Sequence, residues 1–95
     1  MEGIFDRTMI VMGEEAMSKL NSSHVAVFGV GGVGGYALEA IVRSGVGEIT
    51  IIDNDTVSVT NINRQIIALH SNIREKKINV AEKRIKDINP DCIVH

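Results

Sequence analysis

Residues 29–34 read Gly-Val-Gly-Gly-Val-Gly, a G-x-G-x-x-G run between an apolar stretch and a helix-forming one. Few features restrict a fold as tightly. The first glycine, Gly29, permits a tight turn. The second, Gly31, removes a Cβ from the path of an approaching phosphate, and Gly34 lets helix and strand pack closely. A helix starting there offers unpaired N–H groups and a partial positive charge to an anion. The run therefore predicts strand, phosphate-cradling turn and helix in that order.

The flanking pattern agrees. Residues 24–29 (HVAVFG) form a short apolar run suited to a buried parallel strand. Residues 33–44 predict a helix, with Ala37, Ala40, Ile41 and Ser44 at helical spacing and Gly45 just past its end. Residues 48–53 (EITIID) predict a second, central strand, β-branched at Ile49, Thr50, Ile51 and Ile52. A polar loop leads to a helix over 75–88. There Ile78, Ala81, Ile85 and Ile88 line one face, Lys77, Lys83 and Lys86 face elsewhere, and Asn89-Pro90 ends the helix. Residues 91–95 read as the start of a third strand. Upstream, residues 13–20 are rich in helix formers, and Met9, Met12 and Met17 are expected to fill core around them.

The sum is an α/β chain: a helical lead-in over 1–22, then a βαβαβ run over 24–95. This is a Rossmann-like parallel sheet with flanking helices, N-terminal half only. A parallel sheet wants helices on both faces, and the third strand stops at His95. Residues 1–95 are thus expected to be the N-terminal part of one larger domain. The unfinished sheet edge invites pairing, so a homodimer is expected.

Composition narrows the setting. Ten basic and twelve acidic side chains give a net charge of −2, with no overall pull toward nucleic acid. That balance leaves an RNA substrate open. The single cysteine, Cys92, rules out an internal disulfide, reads as a small buried hydrophobe and points to the reducing cytoplasm. No apolar run has signal-peptide or membrane-spanning length, so no integral membrane segment is expected. His24, His70 and His95 show neither metal-ligand spacing nor a triad arrangement, so no metal ligand is assigned.

Asp53 closes the second strand 19 residues past Gly34, where a carboxylate can accept hydrogen bonds from a ribose. Glycines and aspartate do not choose between NAD and ATP, and the glycines alone favour a dehydrogenase. The segment that follows breaks the tie. It holds Asp53-Asn54-Asp55, then Thr60-Asn61-Ile62-Asn63-Arg64-Gln65, then Lys77. Arg64 presents a planar charged fork suited to phosphate, and Lys77 a mobile point charge. Two such cations neutralise a triphosphate and the charge that develops during transfer at phosphorus.

The run GVGGVGG…GVGEITIIDNDTVSVTNINRQ resembles the ubiquitin-activating-enzyme-like (ThiF/MoeB/HesA) family of ATP-using adenylators. Thr60–Gln65 is similar to the T-N-x-N-R-Q signature of its tRNA threonylcarbamoyladenosine dehydratase branch, whereas the sulfur-carrier branch more often carries N-L-Q-R-Q. The resemblance extends from about Phe5 to the end of the chain.

The resemblance implies site roles. Gly29, Gly31, Gly32 and Gly34 would cradle ATP phosphate, and Asp53 would hold the ribose hydroxyls. Asp55 and Gln65 would line the nucleotide site, while Asn61 and Arg64 would bind phosphates and orient the α-phosphate. Lys77 would be the phosphate-binding lysine, with Lys76 an adjacent candidate. Arg64 and Lys77 would be catalytic, joined by Arg7 reaching into a partner subunit's site. The family's glycine three residues before the lysine is missing, and Arg74 stands there instead. Mg²⁺ would accompany ATP through an aspartate beyond His95, not through Asp55 or Asp91.

The implied reaction is adenylation of a carboxylate. In the dehydratase branch that carboxylate belongs to threonylcarbamoyladenosine in tRNA, and activation allows cyclisation with net loss of water. The alternative is the C-terminal carboxylate of a ubiquitin-like sulfur carrier, with a sulfur-transfer protein as possible partner. A third reading is a non-catalytic nucleotide-binding or dimerisation module. The 95 residues alone are expected to be inactive.

Overall fold

A computed structural model describes residues 3–95; the first two residues of the lead-in lie outside the described residues. The predicted order holds. Helices α1 (Asp6–Met12) and α2 (Glu14–Asn21) precede β1 (His24–Phe28), α3 (Gly32–Ser44), β2 (Glu48–Ile52), α4 (Lys77–Ile88) and β3 (Ile93–Val94). The lead-in is two helices because Gly13, at φ 87°, breaks the run between them.

The strands pair in parallel in the order β1-β2-β3, so the β-branched β2 is central, as expected. Val25 pairs with Ile49 and Val27 with Ile51 in register. Two crossovers of one hand, stepping the same way across a sheet, put both helices on one face. The buried core accordingly joins Val27, Ile49 and Ile51 of the sheet to Leu38 and Val42 of α3 and Ala81 and Ile85 of α4. The other face is open: Phe28 is 76%, Ile52 46% and Ile93 54% exposed. The strands expected to be buried are therefore buried on one side only.

Three further expectations need correction. The core face of α3 is Gly35, Leu38 and Val42, while Ala37 and Ala40 are exposed and Ile41 and Ser44 only half-buried. The cause is the close approach at the start of the helix. A Cβ on Gly34 would lie 1.8 Å from the Gly29 carbonyl oxygen, and one on Gly35 would lie 3.2 Å from that of Val30. That contact sets which side of the helix faces the sheet. Next, Lys77 does not face away: it is buried. Positions 77, 81 and 85 are successive i, i+4 neighbours, so Lys77 continues the Ala81–Ile85 stripe. Lys83 and Lys86 are exposed as expected. Finally, of Met9, Met12 and Met17 only Met17 is buried, because α1 buries no residue at all.

The polar loop between β2 and α4 is ordered by its own asparagines. Two short 3₁₀ turns, Val59–Asn61 and His70–Asn72, lie within it. Asn61 Oδ1 accepts from the Ser58 amide and Asn72 Oδ1 from the Leu69 amide, each at 2.9 Å. Both side chains are buried, and Ile67 and Ala68 between the turns join the core. Val57 and Arg74 pair backbone to backbone at 2.8 Å, which returns the chain to the start of α4.

Candidate functional site

The candidate site lies at the carboxyl ends of β1 and β2, where parallel α/β sheets place their ligands. Gly29 extends the β1–β2 ladder by donating to the Ile52 carbonyl at 2.8 Å, then turns the chain at φ 86°. From Gly31 the chain enters α3. The amides of Gly32, Val33 and Gly34 meet no acceptor among the described residues. They form the exposed N-terminus of a 13-residue helix with no acidic side chain in its first turn.

Asp53 connects the two turns. Its Oδ2 accepts from the Val30 amide at 2.9 Å and its Oδ1 from the Asp55 amide at 2.8 Å. Each oxygen keeps a further lone pair. Asp55 in turn accepts from the Lys77 amide at 3.0 Å, so the loop after β2 and the start of α4 are fastened together. The Asp55 side chain is exposed.

Gln65 lies beneath the glycine loop. Its side chain is buried, and its Nε2 is 3.5 Å from where a Cβ on Gly31 would stand. Its Oε1 is buried and has no hydrogen-bond partner among the described residues. An unpartnered buried acceptor carries an energetic cost that a donor at that place would relieve. Asn61 is buried in the same loop, its Oδ1 engaged with Ser58.

Lys77 is 6% exposed and forms no ion pair among the described residues. Lys76 is exposed. A lysine whose stem is packed in the core and whose charge has no counter-ion among the described residues is suited to meet an anion. Arg64 is exposed and folded back on its own turn, donating to the Thr60 carbonyl at 2.8 Å and to Asn63 Oδ1 at 3.1 Å. Those partners are neutral, so the guanidinium has no counter-charge among the described residues.

Gly31 and Gln65, Gly34 and Gly29, and Asp53 and Asp55 are thus close neighbours, and Gly32 follows Gly31 in the chain. The Lys77 backbone amide joins them through the Asp55 carbonyl, whereas the Asn61 and Arg64 side chains bond within their own loop. Arg7 is not gathered with them. Phe5, two residues earlier, packs 3.8 Å from a Cβ position on Gly45, at the opposite end of the sheet from the glycine loop.

Arg74 adopts φ 77°, the left-handed conformation that favours glycine, and is the only non-glycine residue to do so among those described. The missing glycine and the observed backbone coincide: the turn has the shape a glycine would supply. Elsewhere, burial pushes the Cys92 thiol up, consistent with a buried apolar role rather than a nucleophile. Two bonds from Arg84 hold the Glu39 carboxyl below its ordinary value, and Arg43 adds to the effect.

Histidine spacing in the chain concealed one grouping. His24, Glu48 and His95 meet on the open sheet face with ligand atoms all within 4.8 Å of one another. Parallel pairing brings together residues far apart in sequence, so no local motif could have signalled it. No helix among the described residues is long and apolar enough to cross a membrane.

The ThiF family model matches residues 5–95. The chain is 49% identical over 90 residues to the tRNA threonylcarbamoyladenosine dehydratase of Bacillus subtilis, covering 95% of this chain and 35% of the relative. It is 35% identical over 88 residues to the sulfur carrier protein adenylyltransferase of Thermus thermophilus, covering 90% and 32%. Among solved structures, it superposes on the E. coli tRNA N6-threonylcarbamoyladenosine dehydratase in complex with ATP with a TM-score of 0.92. There the identity is 48%, with 95% of this chain and 37% of that one covered. The chain spans about a third of the length of these relatives.

Proposed function

The chain belongs to the ThiF family, and from that premise we propose that it supplies the nucleotide-binding part of an ATP-dependent enzyme that adenylates a carboxylate. The reading places ATP phosphates on the Gly32–Gly34 amides, the ribose on Asp53, and Arg64 and Lys77 on the charge at phosphorus. The observation that carries it is the row of acceptor-free amides beside the Asp53–Val30 clamp. The orphaned Gln65 Oε1 and the buried, unpaired Lys77 fit the same ligand.

The substrate carboxylate attacks the α-phosphate, pyrophosphate leaves, and an acyl-adenylate forms. The protein contributes position and charge neutralisation rather than a covalent bond. Mg²⁺ would share the β- and γ-phosphate charge, with its ligand outside these residues. The proposed carboxylate is that of threonylcarbamoyladenosine in tRNA, whose activation permits cyclisation with net loss of water. Its motivation is Thr60–Gln65 and the identity to enzymes of that name. The same reading includes a homodimer, with Arg7 on exposed α1 free to reach a second subunit, and a cytoplasmic setting.

The test combines binding and turnover. Mg-ATP, but not NAD, should raise the unfolding midpoint, and both Arg64→Ala and Lys77→Met should lose the shift. Arg64 is exposed, so its variant should keep ligand-free stability within about 0.5 kcal/mol. Lys77→Met keeps an unbranched stem at a buried position and should stay within about the same range of wild type. The whole enzyme should consume ATP and dehydrate threonylcarbamoyladenosine in tRNA. Modified tRNA returned unchanged, with ATP–pyrophosphate exchange instead on a ubiquitin-like protein, would move the assignment to the sulfur-carrier reaction. A midpoint that responds to NAD alone would sink the adenylating reading.

A further inference from the structure

β1, β2 and the residue that follows β3 each contribute one side chain to a cluster on the open face of the sheet. His24 begins β1, and its register partner Glu48 begins β2. Ile93 of β3 pairs with Glu48, so His95, two residues on, projects to the same face. His95 Nε2 lies 2.5 Å and His24 Nδ1 3.7 Å from the same oxygen, Glu48 Oε2. The two imidazole rings stand 5.5 Å apart between centroids. All three side chains are reachable from solvent, at 48%, 36% and 50% exposure for His24, Glu48 and His95.

We propose that His24, Glu48 and His95 form a binding site for a divalent cation of the Zn²⁺ type, one that fastens β1, β2 and β3 together. Two imidazoles and one carboxylate are a zinc donor set, whereas Mg²⁺ and Ca²⁺ prefer oxygen alone. Ligands about 2.0–2.2 Å from a tetrahedral ion stand ~3.3 Å apart. The present separations from Glu48 Oε2, 2.5 and 3.7 Å, bracket that value. An ion would take the place of the direct contact now made between His95 Nε2 and Glu48 Oε2. The fourth position would be open to water.

Thr50 provides an independent reason. Its Oγ1 is 2.6 Å from His24 Nε2. When Nε2 donates to that hydroxyl, the Nδ1 lone pair is the one turned toward Glu48. Zinc-binding histidines characteristically hold their other ring nitrogen in such a bond, which sets tautomer and ring orientation. The site is at the opposite end of β1 from the glycine loop and is independent of the proposed ATP chemistry.

The experiment is a titration of tag-free, chelator-stripped protein with Zn²⁺ against a chromophoric competitor, with Co²⁺ absorption as a geometric probe. One equivalent should bind, with an intense tetrahedral-type cobalt spectrum and a rise in unfolding midpoint. His24→Gln and His95→Gln should each abolish the saturable site, and His70→Gln should leave it intact. Thr50→Val should weaken binding about 10-fold or more while preserving stoichiometry. Absence of one-equivalent binding to the wild-type protein overturns the proposal without reference to any variant. So does binding that survives both His24→Gln and His95→Gln, which would mark surface adsorption.

Discussion

The Asp53 carboxylate accepts a hydrogen bond from the Val30 amide at 2.9 Å, and this bond ties the turn after β1 to the end of β2. Its second oxygen holds the Asp55 amide at 2.8 Å, so one side chain sets the relative position of the two loops. The residue expected to meet the ribose therefore also shapes the loop that would meet the phosphates. Asp53→Ala should cost roughly 1.5–3 kcal/mol of stability, as a charged acceptor leaves its donors. It should also remove the ATP-induced rise in unfolding midpoint. Thermal unfolding with and without Mg-ATP reads both effects, and an unchanged ligand-free midpoint would contradict the structural half of this account.

Gly34 and Gly32 should separate packing from ligand access. A Cβ on Gly34 would collide with the Gly29 carbonyl oxygen at 1.8 Å, so Gly34→Ala should destabilise by about 1–3 kcal/mol. A Cβ on Gly32 meets nothing within 4 Å, so Gly32→Ala should change stability by no more than about 0.5 kcal/mol. If phosphate approaches that backbone, Gly32→Ala should still weaken ATP binding. Denaturant titration paired with ATP calorimetry distinguishes the two positions; normal ATP affinity in Gly32→Ala would place the phosphates elsewhere.

Arg74 holds a backbone conformation in which its Cβ is strained. The conformation persists because the Arg74 amide and the Val57 carbonyl pair at 2.8 Å, with the reciprocal bond from Val57 to Glu75 also at 2.8 Å. Arg74→Gly should stabilise the chain by about 0.5–1 kcal/mol, the relief of strain exceeding the added freedom of the unfolded chain. Equilibrium unfolding in urea checks this, and a loss of stability would mean that the arginine side chain contributes more than its strain costs.

Glu39 joins α3 to α4 through Arg84, at 2.6 and 3.0 Å, and also meets Arg43. Its folded carboxyl titrates below the ordinary value of 4.5, chiefly through the Arg84 bonds. A depressed acid pKa gives stability that is complete above the unfolded value and is lost as pH falls through the folded one. The wild-type chain should thus lose this contribution below about pH 4.5, and Glu39→Gln should show a flatter stability profile there. Urea midpoints across pH 3–7 make the comparison, with parallel profiles the adverse result.

Much of the architecture was legible in the sequence because its signals are local. Gly29–Gly34, the β-branched Ile49–Ile52 and the Asn89-Pro90 stop each act through neighbouring backbone, and the elements formed within two residues of expectation. Asp53 was legible as a site candidate from its place at a strand end, and Gln65 through the family motif. The core face of α3 was not, because apolar spacing could not weigh Ala37 and Ala40 against the steric demand of Gly34 and Gly35. Lys77 was assigned to the outer face on charge alone. Its side chain is nevertheless buried, on the helical stripe that continues through Ala81 and Ile85.

The amino-acid sequence by itself determined the order of elements, the glycine turn and the placement of Asp53 at a strand end. Each follows from steric and hydrogen-bonding preferences that act over a few residues. Tertiary structure decided the rest. It left one sheet face open, buried a lysine without a counter-ion, turned Gln65 beneath the glycine loop and set His24 beside Glu48 and His95. These outcomes depend on parallel register and on crossovers that bring distant segments together, and such contacts have no local counterpart in the chain.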